Sequence, residues 1–173
     1  MRREITAAFP GRPVTDIVYS HGHSDHQAGL SAWLDLQPQI WTGVGGRTAL
    51  MRNVAGADQI QIIEVGDARD LLRGNLALRL LPVRTGHAQD MLVTLFPASR
   101  AVLQGDMFMV PNQGPVAAYP LAEHLQQVLR DARFEADHII SVHGRVATAD
   151  ELATSVNLQH ALAQESQKQM KSE

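Results

Sequence analysis

Apolar and polar positions along this chain follow two spacings, one typical of strands and the other typical of helices. Short β-rich apolar runs predict strands at 15–20, 38–43, 59–65, 75–83, 91–97, 101–106 and 137–144. Amphipathic spacing or helix-forming composition predicts helices at 27–36, 46–53, 121–134 and from Asp150 onward. Because strands alternate with helices through most of the chain, the pattern predicts the α/β class.

Two of the predicted helices carry local signals. Ser24 or Asp25 is placed to cap the helix 27–36. The helix 121–134 has apolar residues at helical spacing: Leu121, Leu125, Val128, Leu129 and Ala132. With no repeat or linker in 173 residues, we expect one domain over 1–164, followed by a polar tail over 165–173 that frays.

Composition narrows the range of functions. The net charge is −3 and no run of Lys or Arg forms a basic face, so we expect no nucleic-acid partner. The absence of cysteine excludes a disulfide framework, a thiolate nucleophile and a Cys-ligated metal site. We find neither a signal peptide nor an apolar stretch long enough for a membrane span. We therefore expect a soluble protein, cytoplasmic by default, that acts on a small molecule.

The highest density of potential metal-ligating side chains occurs in HGHSDH, residues 21–26. His21 and His23 are two positions apart at the end of a predicted strand, so both imidazoles face one side and one ion can take both. Asp25 and His26 follow where the chain turns into a helix, and from there they point toward a second ion. Three histidines and an aspartate in six residues argue against an ordinary polar strand end.

Further ligands are expected at the ends of other strands. His87 lies between the strands 75–83 and 91–97, and Asp106 ends the strand 101–106. His143 ends the last strand, and Gly144 lets the backbone turn away after it. The sequence therefore offers three more side chains of the type that binds zinc or iron.

The remaining candidates are weaker. We interpret His124 and His160 as helix-surface residues, and His138 as structural because it points away from His143. Asp90 either hydrogen-bonds a ligand imidazole or is a simple turn carboxylate, and these alternatives stay open. Three others are noted for their position near predicted ligands: Arg145, Tyr119 and Asn112.

The ordered set H-x-H-x-D-H, His, Asp, His resembles the metallo-β-lactamase superfamily. The resemblance covers residues 15 to about 155 and implies an αββα sandwich. It departs from the usual D-H-x-G-G, which here is Asp25-His26-Gln27-Ala28-Gly29. Because about 14 residues precede the strand 15–20, we expect most of the first, N-terminal sheet to be lacking. The apolar surface left exposed predicts self-association or marginal stability.

The resemblance also implies a binuclear metal centre. One ion would be held by His21, His23 and His87, the other by Asp25, His26 and His143, with Asp106 bridging the two. We expect two divalent ions, zinc first, with iron or manganese as alternatives. The implied reaction is hydrolysis, in which a metal-bridging hydroxide attacks an ester, thioester, lactone or amide, and Asp25 and Asp106 are the catalytic carboxylates.

Two other interpretations remain. Members similar to persulfide dioxygenases use one iron with comparable ligands, because imidazole and carboxylate suit iron and zinc alike. The flavodiiron branch tends to have Glu where this chain has His23, which weighs against it. A chain without most of its first sheet is alternatively a metal-binding remnant that does not catalyse.

Overall fold

The computed structural model describes residues 2–171. The helices are α1 Arg2–Ala8, α2 Ser24–Gln27, α3 Gly46–Asn53, α4 Ala122–Asp131 and α5 Ala149–Met170. The strands are β1 Asp16–Val18, β2 Gln39–Gly43, β3 Ile62–Val65, β4 Arg69–Arg73, β5 Leu76–Val83, β6 Met91–Phe96, β7 Ala101–Gln104 and β8 His138–Ser141. Three 3₁₀ helices occupy Leu30–Leu36, Ala57–Gln59 and Pro97–Ser99. The predicted α/β class is confirmed.

The described residues form two compact units, and the boundaries between them fall inside β4, β5 and β6. The first unit contains residues 2–69 and 80–93, and the second contains residues 70–79 and 94–171. The prediction of one domain over 1–164 stays a prediction.

The first unit contains a three-stranded parallel sheet in the order β1-β2-β3. Its small size agrees with the expected reduction of the first sheet. One core cluster fills the unit and comprises Tyr19, Leu30, Ile40, Leu50, Val54, Ala57 and Ile62. Trp33 and Trp41 are also buried there, 6% and 2% exposed respectively.

The predicted helix 27–36 is wrong in form. The structure has the short helix α2 and then, after Gly29, a 3₁₀ helix from Leu30 to Leu36. Gly29 interrupts the helix because glycine is a poor helix former. Leu30 and Trp33, the buried residues of the second piece, are three apart, a spacing that suits three residues per turn. His23 stands at the N-cap of α2 without a capping side-chain bond, so neither Ser24 nor Asp25 caps it.

The second unit contains strands of a sheet with the order β4-β5-β6-β7-β8. β7 runs antiparallel to β6 and parallel to β8, with Gln104 in register with Ser141. Helix α4 buries Ala122, Leu125 and Leu129 and packs against α5. The turns that follow β7 and β8 hold the ligand candidates of this unit.

Helix α5 differs from expectation at both ends. It begins after Thr148, whose side chain accepts a hydrogen bond from the Glu151 N–H while the Glu151 carboxylate accepts one from the Thr148 N–H. This capping box satisfies two of the donors that a helix start leaves open. The helix continues to Met170, so the segment that was expected to fray is helical through that residue. Helix α1 and strand β4 were not predicted. In the stretch from residue 2 to 171, no helix combines the length and the apolar character that crossing a membrane requires.

Candidate metal centre

Three predicted ligands of the first unit meet in space. His21 and His23 follow the end of β1, which stops at Val18, earlier than predicted. His87 lies in the turn between β5 and β6. The ring centroid of His23 lies 4.6 Å from that of His21 and 4.4 Å from that of His87. Each of the three side chains offers a ring nitrogen within 4.8 Å of the nitrogens of the other two.

This geometry fits a metal ion. The Nε2 atom of His21 lies 3.1 Å from the Nδ1 atom of His23. Two nitrogens bound to one tetrahedral zinc ion at 2.0–2.1 Å would be about 3.3 Å apart. His21 is fully buried, whereas His23 and His87 are exposed, so the group is both anchored and reachable from solvent. The donor set suits zinc and iron alike.

His26 is oriented by Ser20, a residue that the sequence analysis did not single out. The Ser20 hydroxyl lies 2.9 Å from Nδ1 of His26. The other ring nitrogen, Nε2, lies 3.5 Å from Oδ2 of Asp25, whose side chain is 56% exposed. Because a hydrogen bond to one imidazole nitrogen fixes which nitrogen faces a metal, Ser20 leaves Nε2 directed toward the Asp25 carboxylate. His26 and Asp25 thus form a second pair of donors.

Asp90 lies close to the turn that carries His21 and His23. A side-chain carbon added to Gly22 would come within 3.1 Å of Oδ2 of Asp90, and one added to Gly43 would come within 2.5 Å of its carbonyl oxygen. Burial raises the pKa of the Tyr19 phenol, and the charge of Asp90 raises it further. Asp90 therefore lies close to the backbone between His21 and His23; its hydrogen bond to a ligand imidazole remains a prediction.

The second unit brings the other two predicted ligands together. Oδ1 of Asp106 lies 3.5 Å from Nε2 of His143, and the Asp106 side chain is only 12% exposed. Both residues lie two positions beyond the last residues of parallel strands, Gln104 of β7 and Ser141 of β8. Both candidates therefore lie just beyond the ends of strands, and their role as ligands stays a prediction.

Gln104 shapes the turn that carries Asp106. Its fully buried amide oxygen accepts hydrogen bonds from the N–H groups of Met107, at 2.8 Å, and Phe108, at 3.3 Å. Its amide nitrogen donates to the Phe108 carbonyl. The Gln104 side chain therefore holds the backbone turn that contains Asp106, and this fixes the position from which the Asp106 side chain extends.

Gly144 shapes the turn that carries His143. Its φ is +80°, and an added side-chain carbon would meet the Val110 carbonyl oxygen at 2.1 Å. The next residue, Arg145, donates its N–H to that same carbonyl at 3.0 Å. Only glycine suits both the left-handed backbone and the close approach, as the sequence suggested.

The remaining candidates fall into two groups. The histidines interpreted as non-ligands are all exposed; they are His124, His138 and His160. Nε2 of His160 lies 3.3 Å from a carboxylate oxygen of Glu123. Arg145 pairs with Glu151 at 2.5 Å, which gives its guanidinium a partner on the protein surface. Burial and the charge of Asp106 raise the pKa of the half-buried Tyr119 phenol, whereas Asn112 is exposed.

Sequence patterns provided little indication of Ser20, Gln104 or Ser141, whose side chains contact the candidate ligands or the backbone that carries them. Ser20 adjoins the histidine motif, and that proximity was the one available signal. Gln104 and Ser141 are single polar residues inside apolar strands, and their partners became visible only with the register of β7 and β8.

A model of the metallo-beta-lactamase superfamily matches residues 2–145, a range that includes all seven predicted ligands. The chain belongs to this superfamily. The predicted family and fold are confirmed. Among curated proteins, no sequence matches the chain significantly.

Solved structures support the superfamily fold. A flavodiiron protein from Giardia intestinalis has a TM-score of 0.72 at 17% identity, covering 90% of this chain and 44% of that one. A metallo-beta-lactamase from Pontibacter korlensis has a TM-score of 0.69 at 17% identity, with coverages of 90% and 73%. An archaeal metallo-beta-lactamase superfamily protein from Sulfolobus tokodaii has a TM-score of 0.64 at 17% identity, covering 87% of this chain and 68% of that one. The chain spans less than half the length of the flavodiiron protein, and at these identities the likeness shows the fold alone.

Proposed function

We propose that this superfamily member is a binuclear metal-dependent hydrolase. The observation that carries the proposal is the convergence of His21, His23 and His87, whose ring nitrogens lie within 4.8 Å of one another. Such a group of imidazoles, one buried and two exposed, is the arrangement of an accessible metal site.

We further propose the ligand assignment that the superfamily resemblance implies. One ion would bind His21, His23 and His87, and the other would bind Asp25, His26 and His143, with Asp106 shared. Two facts support this assignment: the superfamily match spans all these positions, and Asp106 and His143 already lie 3.5 Å apart. The nitrogen and oxygen donors favour zinc, with iron or manganese as alternatives.

The protein side chains have separate tasks in this proposal. Bound divalent ions would lower the pKa of water and polarise the oxygen of an ester, thioester, lactone or amide. Asp25, more than half exposed, is placed to orient the attacking water and take its proton at Oδ2. Ser20 lies 2.9 Å from Nδ1 of His26, which leaves Nε2 as the ring nitrogen available to an ion. Asp106, largely shielded, contributes a fixed negative charge.

The rival proposal is an iron-dependent oxidoreductase. It is supported by structural neighbours that are flavodiiron proteins and by a donor set that iron accepts. His23 is the residue that weighs against the flavodiiron branch, for the reason given by the resemblance. Metal identity separates the two proposals.

The deciding experiment is elemental mass spectrometry of purified, desalted protein, followed by a hydrolase substrate screen. We expect about two equivalents of zinc and turnover of at least one ester-type or lactone-type substrate, lost in Asp106→Ala. Iron in place of zinc would favour the oxidoreductase proposal instead. A protein that binds no stoichiometric metal would overturn both the hydrolase and the oxidoreductase proposals. It would leave the interpretation that the chain is a non-catalytic remnant.

We also propose that the chain associates with a second copy of itself. Strand β4 stands at one end of the sheet order, and it carries Leu72, which is 67% exposed. The neighbouring β5 begins at Leu76, which is 47% exposed. Apolar side chains on an edge strand invite pairing with another chain. Sedimentation velocity should show a dimer or larger species that Leu72→Lys reduces; a monomer at all concentrations would contradict the proposal.

A further inference from the structure

Strands β7 and β8 end in register, and a ligand-bearing turn follows each of them. Gln104 is paired with Ser141 in the parallel ladder, and Asp106 and His143 come two residues later on each side. The two turns leave the same edge of the sheet, because parallel strands end there together. Whatever joins the turns at this point controls how their ligands lie relative to each other.

One hydroxyl group joins them. Oγ of Ser141 donates a hydrogen bond to the carbonyl oxygen of Gly105, 36 positions earlier in the sequence, at 2.9 Å. The same oxygen accepts a hydrogen bond from the His143 N–H at 3.2 Å. Ser141 thus contacts the backbone of His143 itself and of the residue directly before Asp106.

A purely local role does not account for both contacts. A serine that accepts a bond from the N–H two residues later forms a common turn motif, and this explains the bond from His143 alone. The bond to Gly105 crosses between strands and adds nothing to that turn. It fixes the start of the Asp106 turn to the start of the His143 turn.

We propose that Ser141 is a positioning residue of the metal centre, which holds Asp106 and His143 in mutual register for metal binding. This inference rests on the proposed function insofar as both residues are metal ligands. Ser141 does not touch the ions. It acts on the two ligands through their backbone.

The physical consequence of removing the hydroxyl follows directly. In Ser141→Ala, the buried Gly105 carbonyl loses its donor and the His143 N–H loses its acceptor. The two turns then lose this link and can shift relative to each other, although the ligands themselves remain. Loss of an outer-shell hydrogen bond of this kind weakens metal affinity by about 10- to 100-fold.

The test compares Ser141→Ala with Ser141→Thr, which keeps a hydroxyl at the same carbon. Ser99→Ala is the matched control, because Ser99 lies in the same unit and its exposed hydroxyl bonds only the nearby Phe96 carbonyl. Metal-free proteins are titrated with Zn²⁺ against a chromophoric chelator, well below the melting midpoint of the least stable variant. We expect Ser141→Ala to lose about 10- to 100-fold in affinity for at least one equivalent. Ser141→Thr should recover most of that loss, and Ser99→Ala should match the wild type.

Co²⁺ absorption spectra supply a second readout that a general loss of stability would not move. The Ser141→Ala spectrum should differ from wild type at saturation, because the ligand geometry has changed. Equal affinity and an unchanged spectrum in Ser141→Ala would overturn the positioning role even if hydrolysis is confirmed. A wild type that binds two ions without turnover would overturn the hydrolase proposal but leave the Ser141 result standing. A wild type that binds no ion would overturn both.

Discussion

The two units fix their candidate ligands in different ways. In the first unit the ligands contact one another: the ring of His21 lies 4.6 Å from that of His23 and 4.0 Å from that of His26. In the second unit the ligands sit on turns whose backbones are fixed by other side chains, Gln104 and Ser141. The first arrangement is encoded largely within six consecutive residues. The second depends on two strands pairing in the correct register, so substitutions far away in the sequence can disturb it more easily.

The largest effect is expected from removing a ring of the first unit. His23→Ala takes away one of three converging imidazoles, and zinc affinity should fall by more than about 100-fold, beyond the usual effect of an outer-shell change. Because His23 is exposed, the fold should tolerate the change. Elemental analysis after dialysis measures the loss.

His160→Ala is the matched control, because that histidine is exposed and pairs with Glu123 on the helix surface. It should retain the wild-type metal content. Equal metal in both variants would show that the first unit does not hold an ion through its histidine rings.

The second unit should respond most to the loss of its turn-closing amide. Gln104→Met leaves the N–H groups of Met107 and Phe108 without their acceptor in a buried site. We expect the free energy of unfolding to fall by about 2 to 4 kcal/mol, since each orphaned buried donor costs about 1 to 3 kcal/mol. Urea denaturation of metal-free protein, followed by circular dichroism, measures the change.

Gln127→Met is the control, because this residue is exposed on α4 and its amide bonds only exposed side chains of the same helix, donating to Asp131 and accepting from Arg130. It should change stability by less than about 0.5 kcal/mol. A Gln104→Met protein as stable as this control would mean that the turn around Asp106 needs no side-chain support.

Alkaline titration sharpens the comparison, because each unit contains one of the two tyrosines. Burial raises the pKa of Tyr19, and the charge of Asp90 adds to the effect. The unfolded phenol ionises near pH 10 while the folded one stays neutral, so stability is fully present below about pH 10 and is lost as the pH rises above it. Tyr19→Phe should therefore flatten the fall in unfolding free energy above that pH.

Tyr119, whose phenol is less buried, should give a smaller effect of the same sign in Tyr119→Phe. Unfolding free energies of the two variants at a series of alkaline pH values provide the check. Identical slopes in both variants and the wild type would rule out a selective response of the first unit.

The smallest effect is expected at the start of α5. Thr148→Ala removes the side-chain acceptor for the Glu151 N–H and should cost about 1 kcal/mol, the usual value for an N-cap. Thr154→Ala is the comparison, since its hydroxyl bonds the Asp150 carbonyl within the helix. Thermal midpoints of the two proteins decide; a Thr148→Ala midpoint equal to that of Thr154→Ala would show that the cap adds nothing.

The sequence was sufficient where geometry is local. Helix α3 has the predicted bounds, and the histidine motif turns into a short helix at Ser24, because spacing within a few residues determines these features. The form of 30–36 was missed because the burial of Leu30 and Trp33 depends on the core around them. Ser141 was missed because its partner Gly105 lies 36 positions away, and no local pattern reveals a strand register.

The placement of the two tryptophans has a practical consequence for optical work. The chain has two, and both Trp33 and Trp41 are buried in the first unit. Their emission therefore reports on that unit, while far-ultraviolet ellipticity is dominated by α4 and α5 of the second. Following both signals through one denaturation would show whether the halves of the protein unfold in one step or in two. The two tryptophans thus serve as an intrinsic fluorescent probe of the first unit, which contains the histidine motif.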